Sequence, residues 1–147
     1  MRTRIIARAT LAALLPLVFG TACAALFPST PQAKFEESQR HYTQSVRWGN
    51  YAVALTFVDP QALKEFQARA AALGDLRFTD YRVMSVNLDP VDHRSAVAHV
   101  IYIAYRPASP VAVAFDEEQH WVYTAGNWVV RPQLAEGRPA QAGEVTF

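Results

Sequence analysis

Four histidines, His41, His93, His99 and His120, are the side chains best suited to proton transfer near neutral pH or to holding a metal. None of them forms an HxH or HxxxH pair, so no metal centre is expected. His99 sits mid-way along an apolar run. If folding sets it beside Asp80 and Tyr102, the His–Asp pair could act as a general base; a satisfied core histidine is the simpler reading. Asp116-Glu117-Glu118 gathers three carboxylates. A calcium loop spreads more oxygen ligands over a looping backbone, so this cluster reads as a solvated bend within a strand. Trp121, Tyr123 and Trp128 could stack on a ligand, although a hairpin packed on helices is the simpler account of them. No G-x-S-x-G, phosphate-loop or dinucleotide fingerprint is present, so neither a catalytic set nor a cofactor is expected. The candidate ligand-binding residues are His99, Tyr102, Asp80 and Trp121.

The remaining reactive side chain is the lone cysteine, Cys23. It has no internal disulfide partner, so a hydrophobic core must hold the domain together. The residues before it have the three parts of a secretory leader: a basic start with Arg2, Arg4 and Arg8, an apolar stretch from Leu11 to Phe19, and the small residues Gly20 to Ala22. Thr21-Ala22-Cys23 resembles the lipobox of bacterial lipoproteins. That resemblance implies cleavage before Cys23 and a diacylglycerol on its sulfur. Each buried methylene of such an anchor contributes roughly 0.8 kcal/mol of membrane attachment. Ala24 rather than Asp after the cysteine implies the outer membrane. Cleavage within Ala22-Cys23-Ala24 by the ordinary signal peptidase would instead release a soluble periplasmic protein. The expected segments are a signal peptide over 1–22, an anchor and linker over 23–33, a domain over 34–131 and a loose tail over 132–147.

The 147 residues suffice for one domain. The aromatic content of 12% supports a packed core rather than a disordered chain. A net charge of +1, with no basic run after the leader, gives no basis for nucleic acid binding.

Ser29-Thr30-Pro31 reads as a helix start, with a hydroxyl cap and proline in the first turn. Phe35, Tyr42 and Val46 recur at helical spacing, and Gly49-Asn50 breaks the run. Tyr51 to Val58 reads as helical, and Asp59-Pro60 can open the next helix. There Leu63, Phe66, Ala70 and Leu73 share one face, and Gly74 ends it. Strands follow. The first, Leu76 to Asp89, switches parity near Val83-Met84, which implies a bulge. The second, Ser95 to Arg106, is apolar on both faces and must be central. The third runs from Val111 as one long bent strand. Gly126 allows a tight turn into a return strand that Pro132 should stop.

Helices followed by a curved antiparallel sheet of about four strands is an α+β arrangement. Gln119-x-Trp121-Val122-Tyr123-x-x-Gly126-x-Trp128 resembles the last hairpin of nuclear transport factor 2-like domains. The resemblance implies a cone between helices and sheet. Some such domains are ketosteroid isomerase-like or polyketide cyclase-like enzymes, and many others bind without chemistry. The expected function is a cell-envelope lipoprotein with a non-catalytic domain for an envelope protein partner or a small apolar ligand. The alternative is a cavity enzyme of the isomerase or cyclase kind.

Overall fold

The computed structural model describes residues 30–141. The leader, Cys23 and the final six residues assigned above lie outside that range. Helix α1 spans Pro31–Arg47. Thr30 caps it by accepting the Ala33 amide at 3.2 Å. Gly49, at φ +67°, turns the chain after it, as only glycine does without strain. A short helix α2 (Tyr51–Ala54) runs into a 3-10 turn at Leu55–Phe57, and α3 covers Leu63–Ala72. Asp59 does not cap α3. Its carboxylate accepts the Gln61 amide in a turn that delays the helix to Leu63.

Strands β1 (Arg77–Leu88), β2 (Ser95–Arg106), β3 (Ser109–Thr124) and β4 (Asn127–Leu134) pair antiparallel in sequence order. A two-residue strand β5, Arg138–Pro139, pairs with β3 beyond the end of β4. β2 is central, as its two apolar faces require. β1 carries the expected bulge between Val83 and Ser85, and a second between Phe78 and Asp80. Bulges of this kind bend a strand and increase its local twist. The β3–β4 turn places Ala125 and Gly126 at φ 49° and 86°, the left-handed pair that matches the twist of two-residue hairpins.

Two expectations about the end of the chain are corrected. Pro132 does not stop β4; it pairs with Gln119 on a strand with a free edge, where a missing N–H is harmless. Residues 132–141 are not loose either. Ala135 donates to the Asp116 carbonyl, and Ala140 donates to that of Ala112.

α1 lies diagonally over the sheet. At its start the Pro31 carbonyl accepts the Trp128 indole N–H at 2.8 Å, and at its end Arg47 donates to the Thr79 carbonyl. Beneath it Phe35 meets Trp121 and Trp128 edge-on, with ring centroids 5.8 and 5.1 Å apart. Tyr42 meets Trp121 in the same way at 5.7 Å. The alanines of β2, Ala96, Ala98 and Ala104, are buried on this face and leave room for these rings. α3 adds Phe66 to the same core. Val58 bridges to Val130 and ties the helical layer to the free edge of β4. Among the described residues no helix is long and apolar enough to cross a membrane.

Candidate functional site

Among the described residues the interior contains one polar cluster, built from α1, β2 and β3. Antiparallel register sets Tyr102, Val100, Ala98 and Ala96 of β2 opposite Phe115, Glu117, Gln119 and Trp121 of β3, all facing the helices. Gln39, Tyr42 and Thr43 recur on the inner face of α1. The two sets meet at Glu117, which is only 4% exposed. Its Oε2 accepts from the Tyr42 hydroxyl at 3.3 Å, and its Oε1 accepts from Tyr102 at 3.3 Å and from Gln119 Nε2 at 2.7 Å. The Gln119 carbonyl oxygen accepts from the Trp121 indole at 3.1 Å and from Gln39 at 3.4 Å. Thr43 Oγ1 accepts from both glutamine amides. Every polar side chain brought into the core here thus has a partner, as burial demands.

Burial raises the Glu117 carboxyl to about 7, against a downward pull from its hydrogen bonds and from Arg69. Burial and the facing Glu117 charge push the Tyr42 and Tyr102 hydroxyls well above the ordinary tyrosine range. Glu117 is therefore poised to exchange a proton near neutrality, while both tyrosines remain donors.

Reaction also needs room. Between Glu117, Tyr102, Arg69, Phe66, Phe78 and Tyr51 the remaining void is about 10 Å³, at most the space of one water. Arg69 closes one side, donating to the Pro132 carbonyl at 3.0 Å and pairing with Glu65 at 2.9 Å. The cone between helices and sheet is filled by side chains.

The residues singled out from the sequence do not converge. Tyr102 and Trp121 lie in the interior, in the cluster just described. His99 and Asp80 belong to the outer register of the sheet, opposite Ser85 and Ile103 respectively. His99 and Tyr102 are three residues apart on one strand, so they point to opposite faces. On the outer face His99 lies 3.5 Å from Glu118, its neighbour across the strands, and His120 Nε2 lies against the same carboxylate. His99 and Glu118 border an open trough of about 550 Å³ together with Met84, Asp116 and Gln133, and His120 lines a separate recess of about 450 Å³ that shares Gln133 with it. The solvated-bend reading of Asp116 to Glu118 fails at its centre. β3 runs straight through the triplet, and alternation turns Glu117 inward while its neighbours face out. Gln39, Tyr42, Thr43, Glu117 and Gln119 were missed as site residues. Their signal was a polar residue on an otherwise apolar parity, seen at Glu117 and Gln119 between Phe115 and Trp121.

Three solved structures share this fold. A ketosteroid isomerase-like protein from Erwinia carotovora atroseptica superposes with a TM-score of 0.54 at 14% identity, over 67% of this chain and 89% of that one. A protein from Cytophaga hutchinsonii described as NTF2-like gives 0.52 at 13% identity, over 71% and 97%. The fold is NTF2-like. An Exiguobacterium sibiricum chain assigned as a Ca/calmodulin-dependent kinase II association domain gives 0.57 at 12% identity, over 80% and 98%. No protein-family model and no curated protein sequence matches the chain. At such identities the NTF2-like likeness extends to the fold alone, and the site has to be judged on its own atoms.

Proposed function

We propose that this protein is a cell-envelope lipoprotein, held on the periplasmic face of the outer membrane through an acylated Cys23, whose NTF2-like domain binds a protein partner without performing chemistry. The observation that carries the binding half is the filled cone: about 10 Å³ of free space, with donors engaging both oxygens of its one carboxyl group. A small apolar ligand has no room there, which favours a surface-bound partner. The anchor half is supported by the basic start, the apolar stretch and Thr21-Ala22-Cys23.

Mass spectrometry of the mature N-terminus tests the anchor. Acylated Cys23 at the terminus, and release from membranes in Cys23→Ser, is the expected result. A mature chain that begins at Ala25 removes the anchor and leaves a soluble periplasmic protein.

The cavity-enzyme reading keeps one observation in its favour, a carboxyl near 7 flanked by two tyrosine hydroxyls. Perturbed groups of this kind mark many active sites. Its test is deuterium exchange at the α-carbon of small cyclic ketones. Exchange that disappears in Glu117→Gln would establish the enzyme and displace the binding module.

A further inference from the structure

The end of α1 carries a feature that the fold does not use. Trp48, the C-cap residue, is 73% exposed, although indole is among the side chains that gain most from burial. The Arg47 guanidinium lies over its ring at 4.2 Å. Beside them, between the end of α1 and the adjoining ends of β1 and β2, is a recess of about 330 Å³ lined by Arg47, Trp48, Leu76, Arg77, Phe78 and Tyr105. Tyr105 is exposed as well.

The charges at this recess are unbalanced. Four other arginines pair with carboxylates: Arg69 with Glu65, Arg131 with Asp59, Arg138 with Asp116, and Arg106 with Asp75 close to the recess itself. Among the described residues no carboxylate comes within ion-pair reach of Arg47 or Arg77. Arg47 has a structural task at the Thr79 carbonyl and at the negative end of the helix. Arg77 makes only a 3.4 Å contact with the carbonyl of its neighbour Leu76. Neither that contact nor the packing of the core requires an arginine at 77 or a tryptophan at 48.

We propose that this recess docks a short acidic segment of a protein partner, whose carboxylates meet Arg47 and Arg77 while an apolar side chain enters between Trp48 and Tyr105. A planar guanidinium fork matches a carboxylate, and Trp, Tyr and Arg are the residue types that dominate protein interfaces. Two arginines at one recess, neither facing a carboxylate, suit a few carboxylates and not a long polyanion. The inference rests on the partner-binding reading above and assigns it a surface. It does not depend on the anchor, because the recess lies at the opposite end of α1 from the Pro31 end that follows Cys23 in the chain.

The experiment is calorimetric titration of the purified mature protein with a synthetic peptide of aspartates and glutamates around a central phenylalanine, at low and high salt. Saturable binding that weakens with salt is expected, together with a loss of about tenfold or more in each of Trp48→Ala and Arg77→Gln. Controls are the same peptide with asparagine and glutamine in place of the acids, and vesicles of anionic lipid. Absence of binding, equal binding of the amide peptide, unchanged affinity in both variants, or preference for the vesicles each overturns the proposal. Any of these leaves the anchor untouched, and ketone exchange would overturn the binding module independently.

Discussion

Gln119 stands two residues beyond Glu117 on β3, and its amide nitrogen reaches back to the carboxyl Oε1 at 2.7 Å. Two adjacent inward positions of one strand therefore hold each other in a place where both would otherwise be costly. Gln119 is fully buried and bridges α1, β2 and β3 at once, through Gln39 and Thr43, Tyr102, and Glu117 and Trp121.

That relationship makes stability depend on pH. The Glu117 carboxyl rises from 4.5 to about 7 on folding, so the folded chain holds a proton that the unfolded chain has lost between those values. Below pH 4.5 both states are protonated and the contribution is fully present. It is lost as pH rises toward 7, amounting to about 3 kcal/mol in total. Glu117→Gln should remove this slope and raise stability at pH 8. Urea unfolding midpoints of both proteins across pH 5 to 8 provide the check; parallel profiles would show that Glu117 is ionised throughout.

Replacing Gln119 by Leu keeps the volume and strips the bridge. Trp121 Nε1 then has no acceptor in a dry core, and Glu117 loses its shortest donor. A loss of about 2–4 kcal/mol is expected, with a shifted Trp fluorescence spectrum in the native state. A change under about 0.5 kcal/mol would mean that water replaces the amide.

Gly137 shows that the segment after β4 belongs to the fold. A Cβ there would lie 2.6 Å from Phe115 Cε1 and 2.8 Å from Val113 Cγ1. Gly137→Ala should cost about 1–3 kcal/mol through overpacking and detach β5. Limited proteolysis between Ala135 and Gln141 would reveal it; a variant as resistant as the wild type would show that the segment shifts without penalty.

Trp48→Ala is expected to leave the thermal midpoint nearly unchanged, within about 0.5 kcal/mol, because the ring is in solvent. Trp128→Ala, which removes a buried ring and the bond to Pro31, should cost about 3–5 kcal/mol. Differential scanning calorimetry separates the two. A comparable loss for both would place Trp48 inside the folding unit.

Local chemistry carried the order of elements. A hydroxyl before Pro31, a glycine after α1, the parity switch at Val83-Met84 and the Ala125-Gly126 turn each act over a few residues, and each is visible in one dimension. The α+β class follows from their succession. Pro132 misled because a proline stops a strand only where its missing N–H is needed, and that depends on whether a neighbour lies alongside.

The interior site belongs to the third dimension. Nothing short of pairing β3 with β2, and laying α1 across both, could show that Glu117 faces Tyr42, 75 residues away, while Glu118 faces His99 on the other side. A carboxylate triplet looks uniform along the chain, and strand alternation divides it between solvent and core. Whether the cone is open or full likewise depends on summed side-chain volumes from every layer, a property that no single segment possesses.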